Sequence, residues 1–337
     1  MILGPGESPY GGTVAVGGLL FVGDPHISSR RPLRRTERDW PGPVLRKLEH
    51  LVGVSVERDL LMVLLGDLFD RPRETDEGLK TAVARILRRT RLRPFCVVGN
   101  HDADADTLTD GDTLALLAEA GVVDVSPEGG PAARVVVDGT VVGIGTTPHG
   151  RPVPHDVRGA FDEWGPVDRT VWCVHHDVAL GRPYPGSVPA HAVRGADVVV
   201  MGHVHVRTMG VRVGETVWHC PGSLTRTSID LEHHVPLAHA VDGTLRFRPV
   251  PVPHAPDPWN RTGRVVPPAG GGAFVDALLS DGVGDMDRSG DAEGLRALAA
   301  DRISHDDPPG VARMVHDLLD RAVAADDVPG GGSSSAA

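Results

Sequence analysis

The sequence at residues 60–70 reads LLMVLLGDLFD, an unbroken apolar run that ends in a glycine and two aspartates. An apolar run without polar alternation is typical of a strand whose two faces are both covered. The glycine that follows the run allows the chain to turn sharply. The pattern therefore predicts a buried strand that carries Asp67 and Asp70 at its carboxyl end.

Four further stretches have the same arrangement of a short apolar run followed by polar side chains. Between the runs lie segments such as residues 76–91, where apolar residues recur at the spacing of an amphipathic helix. Strands that alternate with helices predict an α/β fold. The polar residues that follow the four runs are Asp24 and His26, Asn100 and His101, His175 and His176, and His203 and His205.

After residue 205 the pattern changes to short strands, and the chain then becomes rich in proline and glycine. We interpret residues 1–252 as one α/β domain, residues 253–272 as a linker, and residues 273–328 as a small helical region. Residues 329–337 have the composition of a flexible tail. One apolar stripe marks the last predicted helix and consists of Val311, Val315, Leu318, Leu319 and Ala322.

The formal net charge of −11 excludes an overall basic field, so any binding of nucleic acid needs a local basic patch. Cys96, Cys173 and Cys220 each lie in or beside an apolar run, and we interpret them as buried thiols rather than a disulfide framework. No apolar run reaches the roughly 20 residues that a membrane span needs. We therefore expect a soluble, cytoplasmic protein that does not contact a membrane.

The polar residues at the strand ends are suitable donors for metal ions. A single buried histidine is more often a core residue with its hydrogen bonds satisfied than a metal ligand. Five strand ends that all carry such donors together favour the interpretation as metal ligands. Nitrogen and oxygen donors without a thiolate suit Mn, Fe or Zn. Two divalent cations about 3.5–4 Å apart can neutralise the charge of a phosphate ester and activate a water molecule. We therefore expect two divalent metal ions at the carboxyl edge of the sheet.

Taken together, five motifs resemble the calcineurin-like metallophosphoesterases over roughly residues 18–250. They are DPH, GDLFD, GNHD, the HH pair after a strand, and GHVH. The resemblance implies a four-layer sandwich, in which two mainly mixed β-sheets are flanked by helices. Here that core would carry a small helical C-terminal appendage. It also implies hydrolysis of phosphate esters at a dinuclear metal site.

The resemblance assigns roles to individual residues of this sequence. His101 would face the scissile phosphate as general acid or charge stabiliser, and Asp70 would orient and charge that imidazole. Asp102 is expected in a turn or helix cap rather than as a ligand. The seven ligands would be Asp24, His26 and His205 for the first metal, Asn100, His175 and His203 for the second, and Asp67 for both. His175 is chosen over His176 because it directly follows the strand.

The wording of the motifs also resembles one branch of the family, the SbcD-type DNA repair nucleases and their phage relatives. The similar pieces are DPHIS with an arginine-rich loop, GDLFDRP, GNHD, AEAGVV and PGSLTR. This resemblance implies Mn-dependent exo- or endonuclease action, with an SbcC-type ATPase held by the C-terminal helices. The apolar stripe on the last helix could equally pack on its own domain. The candidate DNA-binding residues are Arg30, Arg31, Arg34 and Arg35, which could neutralise backbone phosphates or simply form a solvated loop.

Two other functions remain open at this stage. The same core could act as a phosphatase, or as a phosphodiesterase of cyclic nucleotides or other small molecules. It could also be a catalytically inactive interaction module, which would require the loss of metal ligands or of His101. All of the expected positions are filled in this sequence. A homodimer is compatible with each of these functions.

Overall fold

The computed structural model describes residues 2–261, apart from residues 4–8, 11, 33, 185 and 257. The helical region predicted at residues 273–328, the tail and most of the predicted linker lie outside the described residues. No helix in the described part of the chain is long and apolar enough to cross a lipid bilayer.

The described residues contain three α-helices and many short strands. The helices are α1 (Gly42–Glu57), α2 (Glu77–Leu87) and α3 (Thr113–Glu119). The strands are β1 (Val14–Val16), β2 (Gly18–Val22), β3 (Leu60–Leu64), β4 (Phe95–Cys96), β5 (Asp124–Val125), β6 (Gly130–Val137), β7 (Thr140–Thr147), β8 (Arg169–His175), β9 (Val178–Ala179), β10 (Val188–Pro189), β11 (Val198–Gly202), β12 (Thr208–Val213), β13 (Thr216–Cys220), β14 (Leu237–Val241) and β15 (Phe247–Pro251).

Two large mixed sheets form the body of the molecule, as expected for the metallophosphoesterase fold. One has six strands in the order β15-β14-β2-β3-β4-β5, and the other has seven in the order β1-β6-β7-β8-β11-β13-β12. Within the first sheet β2, β3, β4 and β5 are parallel. Within the second, β7, β8, β11 and β13 are parallel. Parallel neighbours place their carboxyl ends at the same edge, where the motif residues follow.

Strand β3 explains why the two sheets pack face to face. Its alternate residues Leu61 and Val63 join the apolar cluster between the sheets, while Met62 and Leu64 join the cluster beneath the helices. All of them are completely buried. Burial of each such side chain stabilises the fold by roughly 1.5–3 kcal/mol. The prediction of a strand covered on both faces is confirmed.

The outer layers of the two sheets differ in the described part of the chain. Helices α1, α2 and α3 contribute to the apolar cluster on the six-stranded sheet. On the seven-stranded sheet the outer cluster contains Phe161, Trp172, Val193 and Trp218, and no described α-helix contributes to it. The covering segment begins with the sequence PHGRPVP at residues 148–154. Prolines at this density prevent a helix, because each lacks a backbone N–H donor.

Three local features complete the description of the fold. The turn at Asp138-Gly139 joins β6 and β7 as an antiparallel hairpin. The three cysteines are buried and free, as predicted. The apolar run that precedes Asn100 is assigned as a strand only over β4.

Part of the predicted linker pairs with the arginine-rich loop. The main chain of Pro258 accepts a hydrogen bond from Thr36 N at 2.9 Å, and Asn260 N donates to Arg34 O at 2.8 Å. Trp259 is buried between these contacts. The described end of the chain therefore forms a strap across residues 34–36.

Candidate metal centre

Polar side chains from five strand ends meet at one place between the carboxyl edges of the two sheets. Potential ligand atoms of Asp24, His26, Asp67 and His205 all lie within 4.8 Å of one another, and we call these residues the first group. The same holds for Asp67, His175 and His203, which with Asn100 form the second group. Asp67 belongs to both groups.

Distances within the first group fit a shared cation. His26 Nε2 lies 2.9 Å from His205 Nε2 and 3.6 Å from Asp67 Oδ2. Nitrogen and oxygen ligands bind a transition metal at about 2.0–2.2 Å, so two ligands of one ion stand roughly 3 Å apart. Nε2 is therefore the nitrogen through which both imidazoles would bind.

In the second group the atoms converge in the same way. Asn100 Oδ1 lies 2.8 Å from His203 Nδ1 and 3.1 Å from His175 Nε2. His175 Nε2 also lies 3.3 Å from Asp67 Oδ2. The other ring nitrogen of His175 is engaged with the carbonyl oxygen of Leu65 at 2.7 Å. That contact fixes the ring and leaves Nε2 for a metal ion.

Two buried carboxylate oxygens in the centre have no hydrogen-bond partner among the described residues, Asp24 Oδ2 and Asp67 Oδ2. Leaving a buried charged acceptor unsatisfied costs more than the roughly 1–3 kcal/mol of a neutral group. Asp67 Oδ1, by contrast, accepts a hydrogen bond from His101 N at 2.9 Å. Divalent cations would satisfy both orphan oxygens, so the residues present fit a two-metal site.

Burial and charge together set the pKa values in the centre. Burial raises the pKa of Asp24 by more than the nearby His175 lowers it. For Asp67 burial acts in the same direction, but His175 and His26 outweigh it and hold the pKa of this carboxyl well below its usual range. Burial also lowers the pKa of His175, yet Asp67 raises it overall to about 10. A cation that binds here would take the place of protons on the imidazoles.

The backbone at four ligand positions is left-handed. The φ angle is 37° at Asp24, 43° at His26, 50° at Asp67 and 75° at His203. This region is unfavourable for residues other than glycine, although aspartate and histidine tolerate it better than most. Hydrogen bonds hold the conformation in place, including His26 N to Asp67 O at 2.9 Å and His203 N to Asp24 Oδ1 at 2.8 Å.

Asp102 joins the second and third motifs without belonging to either ligand group. Its buried carboxylate accepts hydrogen bonds from Asp67 N at 2.8 Å, Gly99 N at 2.9 Å and Leu68 N at 3.0 Å. This is the turn-stabilising arrangement expected from the sequence. Through it, the loop that carries Asn100 is tied to the loop that carries Asp67.

Gly99 provides a sharp test of this packing. A Cβ at this position would lie 2.1 Å from Asp67 Oδ1 and 2.5 Å from Asp67 N, closer than side-chain carbons approach such atoms. Gly99→Ala should therefore displace Asp67, and a displacement of about 1 Å can cost about 100-fold in activity. Metal content and the rate of phosphoester cleavage measure the effect.

Gly53 in α1 is the matched control, because a Cβ there meets nothing within 4 Å. Gly53→Ala should retain full metal content and gain roughly 0.4–1 kcal/mol of stability. Metal content and activity of Gly99→Ala equal to those of the control would contradict the close packing around Asp67.

His101 lies beside the first group. Its ring centroid is 4.9 Å from that of His26, and its Nδ1 is 2.8 Å from the carbonyl oxygen of Asp70. The Asp70 carboxylate is also close, because His26, Asp70 and His101 offer potential ligand atoms within 4.8 Å of one another. Its Oδ1 lies 3.3 Å from His26 Nδ1. Asp70 thus contacts the His101 ring through its main chain, while its carboxylate stands beside both imidazoles.

The structure distinguishes between the paired histidines after β8. His175 is completely buried and lies in the second group. The His176 ring instead contacts the carbonyl oxygen of Arg151 through Nε2. His149, which no motif marks, lies on the same side, with its ring centroid 5.6 Å from that of His203. His149 could not be recognised from the sequence, because it follows β7, whose end carries none of the metal-binding motifs.

The arginines after His26 differ in exposure. Arg30 and Arg31 are exposed, and Arg34 is half-buried. Arg35 is only 3% exposed, and its guanidinium binds the carbonyl oxygen of Arg226 at 2.6 Å and pairs with Glu37. Its donors are thus used inside the protein. Arg35 is therefore not on the surface that a DNA backbone could contact, and the prediction that it binds DNA was wrong.

One protein family matches this chain. The calcineurin-like phosphoesterase family model matches residues 18–207, more than half of the chain. Among solved structures, a hypothetical protein from Thermus thermophilus is 18% identical, with a TM-score of 0.36, and the match covers 69% of this chain and 96% of that one.

A 5'-nucleotidase precursor from the same organism is 16% identical, with a TM-score of 0.43. That match covers 83% of this chain and 59% of the nucleotidase, so this chain spans less than two thirds of it. A search of curated proteins gave no significant match.

Proposed function

The chain belongs to the calcineurin-like phosphoesterase family and is a metal-dependent phosphoester hydrolase, and on this premise we propose that it cleaves DNA as an SbcD-type exo- or endonuclease. The observation that carries the proposal is the position of Arg30 and Arg31, exposed and only a few residues after the ligand His26. Cations in this position can neutralise backbone phosphates next to the metal centre.

The residues of the centre have separate tasks in the proposed reaction. Bound divalent cations supply charge neutralisation at the phosphate and an activated water at neutral pH. The side chains that would hold them are Asp24, His26 and His205 for the first, Asn100, His175 and His203 for the second, and Asp67 for both. We propose Mn as the native metal because the nuclease branch that the motifs resemble is Mn-dependent, and nitrogen and oxygen donors without a thiolate are compatible with Mn as well as with Fe or Zn.

His101 would act on the oxygen that leaves the phosphorus. The Asp70 carbonyl engages Nδ1, so Nε2 is the nitrogen that can reach the substrate. A protonated ring would donate from Nε2 to the leaving oxygen, or stabilise the charge that develops on it. Asp70 would keep the ring in this orientation.

The substrate class can be tested with purified protein and Mn. We expect cleavage of labelled single- or double-stranded DNA and of bis-p-nitrophenyl phosphate. Cleavage of the small diester or of p-nitrophenyl phosphate alone would favour a small-molecule phosphodiesterase or phosphatase. If the protein binds no metal in the presence of Mn and cleaves none of these substrates, the result would favour an interaction module.

A double variant tests the arginines directly. Arg30→Ala/Arg31→Ala should weaken DNA binding, lower its salt slope by roughly one unit per lost phosphate contact, and leave cleavage of bis-p-nitrophenyl phosphate unchanged. The control is Arg85→Ala/Arg88→Ala, which removes two exposed cations from the C-terminal end of α2. DNA binding that falls equally in both double variants would count against a local DNA surface at Arg30 and Arg31.

The proposal includes an SbcC-type ATPase as partner. Its support is the apolar stripe of the sequence at residues 311–322, which lies outside the described residues. Co-purification of the two chains, with and without Leu318→Asp/Leu319→Asp, would test the contact.

A further inference from the structure

Asp177 contacts a ligand of the second group although it belongs to none of the recognised motifs. Its Oδ2 lies 2.9 Å from His203 Nε2. The other nitrogen of the same ring, Nδ1, lies 2.8 Å from Asn100 Oδ1 inside the group. The imidazole of His203 thus stands between a carboxylate on one side and the expected cation position on the other.

The arrangement determines which nitrogen of His203 can bind metal. A carboxylate accepts a hydrogen bond from a ring N–H, so Asp177 favours the tautomer that carries its proton on Nε2. That tautomer has its lone pair on Nδ1, directed at the group. A carboxylate in this position also makes the imidazole a stronger donor to the metal.

The segment that follows Asp177 holds it in place. Val188 N donates to the carbonyl oxygen of Asp177 at 2.8 Å, and Val188 pairs with Val178 between β9 and β10. The Tyr184 hydroxyl lies 3.4 Å from Asp177 Oδ1. A side chain anchored at both its backbone and its second oxygen can hold a fixed orientation despite being 44% exposed.

We propose that Asp177 is a positioning residue for the second cation, acting through His203. The inference rests on the proposed metal centre and adds a residue to it. Because Asp177 touches His203 and not the first group, its removal should weaken one of the two cation sites selectively. Loss of such a partner typically lowers metal affinity by about 10–100-fold.

Titration of Mn into the metal-free full-length protein tests the proposal, with binding followed by calorimetry and metal content. Wild type should bind two cations. Asp177→Ala should bind one as tightly as wild type and the other about 10–100-fold more weakly. Asp177→Asn keeps an acceptor oxygen without the charge. Its affinity for the second cation should lie between those of wild type and Asp177→Ala. Saturating Mn should restore the turnover of Asp177→Ala, because His203 itself remains.

Glu119→Gln is the matched control, since it removes one exposed negative charge from α3. It should bind both cations as wild type does. Unchanged affinity at both sites in Asp177→Ala overturns the inference while leaving the metal centre intact. Equal weakening of both sites together with a lowered melting temperature overturns it as well, because that result indicates a general structural role. A wild-type protein that binds no cation refutes the metal centre itself.

Discussion

Asp67→Ala should abolish phosphoester hydrolysis and deprive the protein of both cations. Asp67 lies in both ligand groups, and its buried Oδ2 has no hydrogen-bond partner among the described residues. Without this shared carboxylate, the two cations would repel each other with no negative charge between them. Loss of the cations also removes groups that hold the reactants in position. Such positioning can supply up to about 7–11 kcal/mol, so we expect a rate loss of more than about 1,000-fold. Metal analysis and turnover of bis-p-nitrophenyl phosphate measure the two effects.

Asp67→Asn is the informative companion to this variant. An amide of the same shape can keep the contact with His101 N, now 2.9 Å from Asp67 Oδ1, so the loop should retain its conformation. It lacks the negative charge that holds two cations together. We expect a folded protein, judged by circular dichroism, with weakened metal binding. Full metal content and wild-type turnover in either variant would show that Asp67 does not bridge.

His101→Ala should lower turnover by about 100- to 10,000-fold and leave both cations bound. The ring lies beside the first group and is held by the Asp70 carbonyl, and it contributes no atom to the two ligand groups. Its removal therefore takes away proton donation or charge stabilisation and leaves all seven metal ligands in place. Metal content and kcat should thus respond differently, in contrast to Asp67→Ala.

The leaving group distinguishes the two roles open to His101. A p-nitrophenolate leaves readily without a proton, whereas the alkoxide of a DNA sugar needs one. A general acid predicts a much larger loss on DNA than on bis-p-nitrophenyl phosphate, and a charge stabiliser predicts similar losses. Loss of metal from His101→Ala would contradict both roles and place the residue among the ligands.

Much of the fold follows from local sequence because the strands are short, apolar and uninterrupted. Strand β3 is buried on both faces, as residues 60–65 indicate, and the motif residues lie at the strand ends where the sequence places them. The convergence of side chains after β2, β3 and β4 is a geometric result of parallel pairing. Such features need only neighbouring residues to be recognised.

Features that depend on distant partners could not be predicted in this way. Arg35 looks like its exposed neighbours in the sequence, but its partner Arg226 is 191 residues away. Asp177 becomes notable only when the end of β8 lies beside His203. The loops over the seven-stranded sheet were also missed, because their packing onto Trp172 and Trp218 leaves no periodic pattern.

The left-handed backbone at four ligand positions has a consequence for how this sequence can change. A non-glycine residue in that conformation costs of the order of 1–3 kcal/mol. Selection for stability alone would therefore favour glycine at positions 24, 26, 67 and 203, where only side chains with donor atoms can serve the chemistry. The strained backbone is therefore a cost in stability that the chain bears in order to keep its donor atoms in place.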